Sequence, residues 1–199
     1  MAESKDRDFK FDKMAASYDA GFKGKVLDKF YALLVEQVDV RPGMTVLDVG
    51  CGTGTLLRRL SDKAPMHGYG IDIEKEMIAE AQKKCPDMVI QLSSCENTPF
   101  SDDQFDVITA CLAYHHFADK QGFAKEAARI LKRGGSLYIA EPRFPRLVRK
   151  AINSLIKQLH IVGYLGSPQE IYDTFRGEGF VMVGVYRDGY AQVVKLRLT

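Results

Sequence analysis

Residues 46–57 read VLDVGCGTGTLL: an apolar run broken only by a carboxylate, glycine at every second position, then the start of an apolar helical face. Glycine at 50, 52 and 54 lets the backbone turn sharply out of a buried strand. With no Cβ in the way, a ligand can approach the main chain closely. In an open sheet such a turn belongs at the carboxyl end of the first strand, where the strand order reverses and ligands bind.

The unit then repeats. Strands are predicted at GYGIDI, MVIQL, FDVITACL and SLYIA, with helices at Leu56 to about Asp62, EKEMIAEAQKK, and about Gly122 to Leu131. FDVITACL is continuously apolar, as a strand covered on both faces should be. This alternation predicts βαβ units in a parallel sheet. Gly134 is the expected C-cap of the third helix, with Lys132 and Arg133 at the negative end of its dipole. Upstream, Val26 to Val38 carries apolar residues at helical spacing. Downstream, Ser167-Pro168-Gln169-Glu170 combines an N-cap, a first-turn proline and a capping-box glutamate. FVMVGVYR and YAQVVKLRL then flank Asp188-Gly189, a two-residue type I′ hairpin signal.

The expected fold is therefore α/β: a doubly wound, Rossmann-like, seven-stranded mixed sheet. Five strands are parallel, a C-terminal antiparallel hairpin completes the sheet, and helices cover both faces. No linker-like boundary divides residues 1–199, so a single domain is expected. It would carry an N-terminal helical lid segment over 1–40 and a variable helical insert over 143–178 before the hairpin.

Composition supplies mainly exclusions. With 46% hydrophobic residues in 199, the chain can bury a proper core. Its 28 basic and 26 acidic residues leave a net charge of +2, which makes no electrostatic case for a nucleic-acid partner. Cys51, Cys85, Cys95 and Cys111 lack C-x-x-C spacing and read as reduced thiols, with no metal expected. MAESKDRDFKFD lacks the pattern of a secretory signal, and no apolar run approaches the roughly 20 residues a membrane span needs. The default expectation is a cytoplasmic protein.

Glycine spacing separates the ligands such a loop could serve. A dinucleotide fingerprint starting at Gly50 would place its third glycine at 55, where Thr55 stands; Gly54 comes one residue early. Asp72 ends the second strand and offers a bidentate acceptor for two ribose hydroxyls. Asp48 suits a ligand ammonium and would repel a pyrophosphate, which favours S-adenosylmethionine over NAD.

VLDVGCGTG, GIDI, FDVITACLAYHHF and LKRGGSLYIAEP, in that order, resemble the class I S-adenosylmethionine-dependent methyltransferases. The similarity is greatest to the branch holding the ubiquinone/menaquinone C-methyltransferases, and it spans roughly Phe11 to Pro142. It implies that Gly50, Cys51 and Gly52 line the methionine half of the cofactor. Asp72 would hold the ribose, while Ile73 and Met77 pack on adenine. SSCENTPF resembles the adenine-edge segment; Ser94 stands where the family often has Asp, followed by Cys95 and Glu96. FDKMAASYD resembles the segment that folds over the cofactor, with Tyr18 as its contact, and Cys111 should lie nearby.

Methyl transfer from a sulfonium needs mainly alignment, which is worth about 7–11 kcal/mol. A general base near neutrality would help an acceptor that loses a proton. His116, ahead of His115, is the candidate catalytic residue in Tyr114-His115-His116-Phe117. The competing reading has both histidines capping the next helix or bonding loop carbonyls. A thiol-ligand role for Cys51, Cys95 and Cys111 competes with their use as small apolar fillers.

The stretch 143–166 mixes Arg143, Arg146, Arg149, Lys150 and Lys157 with Leu147, Ile152, Leu155, Ile156 and Leu159. Over 143–162 it suits either a membrane surface or lipid-like substrate, or a lid or ordinary surface helix. The expected partner is a small-molecule methyl acceptor, open among carbon, oxygen, nitrogen and sulfur; no Asn/Asp-Pro-Pro-Tyr/Phe segment follows the fourth strand, which argues against amino-methylation of adenine, cytosine or protein glutamine. A non-catalytic S-adenosylmethionine- or S-adenosylhomocysteine-binding protein is the alternative.

Overall fold

The computed structural model describes residues 21–160 and 163–199, with side chains from Lys25 onward. Its centre is a seven-stranded sheet in the order β3-β2-β1-β4-β5-β7-β6. The strands are β1 (Thr45–Val49), β2 (His67–Asp72), β3 (Val89–Leu92), β4 (Phe105–Cys111), β5 (Leu131–Pro142), β6 (Phe180–Asp188) and β7 (Ala191–Leu198). Helices α1 (Gly21–Gln37), α2 (Thr55–Lys63), α3 (Lys75–Lys84), α4 (Lys120–Ile130), α5 (Arg146–Gln158) and α6 (Pro168–Phe175) connect and cover them. Strands β1 to β5 pair in parallel, and β7 runs antiparallel to both β5 and β6. The chain moves outward from β1 to β2 and β3, then crosses back to β4 on the other side of β1. That reversal opens a crevice beyond the carboxyl ends of β1 and β4.

Burial follows the apolar pattern. On one face Phe30 and Leu34 of α1 and Leu56 and Leu60 of α2 pack on Val46, Val107 and Tyr138. On the other, Phe123, Phe175 and Phe180 join Ile108, Ile139 and Val194. Phe117, Phe123, Phe175 and Phe180 meet edge to face in succession, with centroids 4.9–5.7 Å apart.

Two local expectations are corrected. The helix α4 ends at Ile130, and its C-cap is the extended, fully buried Leu131, whose N–H bonds the Ala127 carbonyl. Pairing of Leu131 with Phe105 draws the chain into the sheet before it can reach Gly134. The left-handed Gly134 (φ +79°) instead lies where the β4–β5 register breaks, and Lys132 there reaches Asp106 at 2.8 Å. In the hairpin, Asp188 pairs with Ala191, so the turn residues are Gly189 and Tyr190. Only the first has positive φ (+55°), the pattern of a type II′ turn rather than I′.

The capping box at Ser167 forms as its spacing predicts: Ser167 Oγ accepts from Glu170 N, and Glu170 Oε2 accepts from Ser167 N. Replacing Ser167 with Ala should lower stability by about 1 kcal/mol in urea unfolding with an unchanged m-value. A change well below that would mean the box contributes nothing to α6.

Candidate active site

At the end of β1 the chain turns through three left-handed glycines: Gly50 (φ +70°), Gly52 (φ +52°) and Gly54 (φ +78°). The Ile71 carbonyl accepts from both Gly50 N and Cys51 N, tying the loop to β2. Asp72 continues that tie: its Oδ2 accepts from Gly52 N at 2.9 Å and its Oδ1 from Glu74 N at 3.0 Å. A Cβ on Gly50 would stand 2.5 Å from the Ala113 Cβ, so the segment after β4 closes tightly on the loop. Leu112, the first residue after β4, is held at φ +53°, a conformation that strains a leucine.

These pieces enclose a cavity of about 330 Å³. Its wall includes Asp48, Gly50, Cys51, Gly52, Asp72, Ile73, Met77, Ser94, Cys95, Glu96, Cys111 and His116. All the predicted cofactor residues except Tyr18 thus meet at one place; Tyr18 lies outside the described residues. Among the described residues of the wall, three are carboxylates and none is Lys or Arg. A pyrophosphate finds no cation there, whereas a sulfonium or ammonium finds an attractive field. The bare glycine backbone, the bidentate Asp72 and this acidic wall fit S-adenosylmethionine.

Asp48 is buried and takes a 2.6 Å hydrogen bond from the Thr109 hydroxyl. Burial, only partly offset by that bond, pushes its carboxyl up to about 7. Asp72 is also raised, by burial, against the pull of its backbone donors. Burial keeps the Cys51 and Cys111 thiols protonated, and burial with the neighbouring Glu96 does the same for Cys95. Among the described residues no cluster of three metal-ligating side chains occurs. The three thiols line the cavity.

A second, more open cavity of about 500 Å³ is walled by Val26, Phe30, Leu112, His115, His116, Pro142, Phe144 and Tyr190. Leu112 and His116 belong to both cavities. His116 is held neutral, its value lowered to about 4 by burial, then by His115 and Lys120. His115 Nδ1 lies 2.7 Å from Oε2 of Glu141, which is 1% exposed at the end of β5.

Sequence reasoning did not single out Glu141, although a carboxylate closing an apolar strand was a visible signal. It also missed Leu27 and Tyr31 of α1, which line the first cavity. Their helical spacing is evident, but which strand ends they face is a tertiary matter.

The chain matches the family model described as a methyltransferase domain over residues 47–139. It is 30% identical over 200 residues to the demethylmenaquinone methyltransferase of Thermotoga maritima, covering 85% of this chain and 86% of that protein. To the enzyme of that name from Chlorobaculum parvum it is 32% identical over 161 residues, covering 76% of this chain and 64% of the relative. The chain therefore spans slightly less than two thirds of the Chlorobaculum protein. The crystal structure of YcgJ from Bacillus subtilis superposes with a TM-score of 0.69 at 25% identity, over 80% of this chain and 72% of that one. The chain belongs to the S-adenosylmethionine-dependent methyltransferase family. Within it, several relatives at 30–32% identity carry the names of demethylmenaquinone or ubiquinone/menaquinone methyltransferases, and another at 30% that of a phosphoethanolamine N-methyltransferase from Arabidopsis thaliana.

Because Asp48 holds its proton more tightly when folded than its ordinary value of 3.8 implies, it adds stability that is complete below about pH 4 and lost as pH rises through about 7. Asp48→Asn keeps the Thr109 partner and cannot ionise, so its Tm relative to the wild type should climb between about pH 4 and pH 7 and level off above that. A pH-independent difference would overturn that assignment. Gly50→Ala should cost about 1–3 kcal/mol in denaturant and weaken S-adenosylmethionine binding, because the new methyl collides with Ala113.

Proposed function

We propose that this chain methylates a small, largely apolar, ring-bearing acceptor, with S-adenosylmethionine in the acidic cavity and the acceptor in the second. What carries the reading is the shared wall: Leu112 and His116 face both spaces, so two molecules seated there would meet end to end. The naming of relatives as demethylmenaquinone methyltransferases supports a quinone-like acceptor.

Bound S-adenosylmethionine supplies a methyl group already attached to a good leaving group. The chain's own part is placement. Asp72 accepts the ribose hydroxyls with the lone pairs left beside Gly52 and Glu74. Asp48, drawn into its ionised form by a neighbouring cation, receives the ammonium. Ile73, 60% exposed, and the buried Met77 flank the adenine, while Ser94, Cys95 and Glu96 meet its edge. Cys111 packs below the reacting end, and the apolar wall excludes water. Tyr18 is the expected cover from the N-terminal segment. In this reading residues 1–199 form one domain, with 1–40 as its lid and 143–178 as its acceptor-side insert.

The insert suits a lipid-like acceptor. No residue of α5 is buried, and Leu147, Val148, Leu155 and Leu159 are exposed. Arg143 to His160 contains no acidic residue. Phe144, just before α5, lines the second cavity. Among the described residues no helix is long and apolar enough to cross a membrane, which leaves surface contact as the mode this stretch supports. Leu155→Glu should reduce co-flotation with phosphatidylglycerol vesicles; equal flotation would remove this element.

Titration calorimetry should detect S-adenosylmethionine and S-adenosylhomocysteine, and Asp72→Ala should weaken both at least about tenfold. A labelled-methyl screen across demethylated quinones and other hydroxylated rings should then yield product. Binding without product across that panel would favour the non-catalytic alternative.

A further inference from the structure

Glu141 is a carboxylate with 1% exposure that follows the buried apolar run Leu137–Ala140, and methyl donor placement gives it nothing to do. A buried charge persists only when paired. Its partner is His115: Oε2 lies 2.7 Å from Nδ1, and Oε1 accepts from the His115 backbone N–H at 3.2 Å. Those two bonds set ring and backbone together. A carboxylate at Nδ1 favours the tautomer that carries its proton on Nδ1, which leaves the lone pair on Nε2. Nε2 makes no hydrogen bond to a described residue, and the ring lines the second cavity beside Phe144 and Tyr190.

The backbone around His115 is fixed from a second direction. Its carbonyl accepts from Tyr164 N at 2.9 Å. The adjacent Leu165 is clasped by Asn153, which exchanges two hydrogen bonds with it at 2.9 and 3.0 Å. Arg149 adds a third at 3.1 Å. Strand β5 therefore holds the ring of His115, while helix α5, through Tyr164 and Leu165, holds its backbone. His116 stacks on it with centroids 4.0 Å apart, and burial holds that second ring neutral. The other titratable groups around the pair are Lys120, Cys111 and Tyr114, each coupled to Glu141 through space, and Tyr190 across the chamber.

We propose that His115, oriented by Glu141, removes a proton from the acceptor, and that the acceptor is therefore an apolar ring bearing an ionisable hydroxyl. The hydroxyl O–H bond breaks, the proton moves to Nε2, and the electron pair stays on the acceptor, delocalised into its ring. Glu141 keeps its charge and faces the imidazolium that forms; after product leaves, the proton passes to solvent. His115 is the catalytic residue and Glu141 a positioning residue. This inference rests on the second cavity being the acceptor chamber.

The test separates those two statements. 4-Nitrophenol and its non-ionisable analogue 4-nitroanisole are each added to the full chain, and the imidazole 15N resonances of His115 and His116 are followed by NMR. Both probes should shift His115; if neither does, the acceptor chamber is misplaced and the function reading fails with it. Bound 4-nitrophenol should show its phenolate absorbance at least about one pH unit below the free compound. In Glu141→Gln that displacement should vanish, while 4-nitroanisole still binds and S-adenosylmethionine affinity is unchanged, which certifies the fold. If 4-nitroanisole binds but 4-nitrophenol ionises no earlier than in water, the chamber stands and the proton-removal proposal is wrong. With an acceptor identified, Glu141→Gln should lower kcat about 100-fold at constant KM and flatten the alkaline rise of the pH profile. An unaltered profile would reduce Glu141 to a structural pin for the turn at Tyr114–His116.

Discussion

One carboxylate joins the two strands that matter. Asp72, at the end of β2, accepts the Gly52 N–H of the neighbouring loop with one oxygen and caps its own turn at Glu74 with the other. Together with the doubly accepting Ile71 carbonyl, it keeps the glycine loop in one shape before any ligand arrives. Without that tie, three left-handed glycines at alternate positions would have many conformations to lose on binding. Each oxygen of Asp72 accepts only one of these bonds, and the residue that builds the loop also lines the cavity.

The placement of charge is as particular as the placement of backbone. Three carboxylates line the first cavity, and a fourth, Glu141, stands behind His115 of the second. The parallel sheet makes this affordable: strand ends converge at the reversal in strand order, where buried side chains meet polar loop backbone. Thr109 answers Asp48, backbone amides answer Asp72, and His115 answers Glu141. The strained Leu112 sits where the cavities touch, and the left-handed turn there brings Ala113 against Gly50. Strain and buried carboxylates thus meet where the two cavities touch.

Much was legible because it is local. The loop after β1, the apolar continuity of β4, and the Ser167 capping box are encoded within a few residues each, and all formed as expected. The errors arose where a long-range contact overruled a local preference. Gly134 has the conformational freedom of a helix cap, but Leu131 had already joined β4. Asp188-Gly189 has hairpin chemistry, yet the register of β6 against β7 moved the turn along by one residue.

The order of motifs along the chain was enough to establish the sheet, the loop, the acidic residue that holds it and hence the class of donor, since each depends on neighbours a few positions apart. Which side chains from distant segments face one another was settled by folding. His115 and Glu141 are 26 positions apart and meet at 2.7 Å because β4 and β5 are adjacent and in register. Val26 and Phe30 reach the same chamber because α1 packs on the sheet face beside Tyr138, Ala140 and Leu112. Periodicity reports which face of an element is apolar; only packing decides what that face is turned toward.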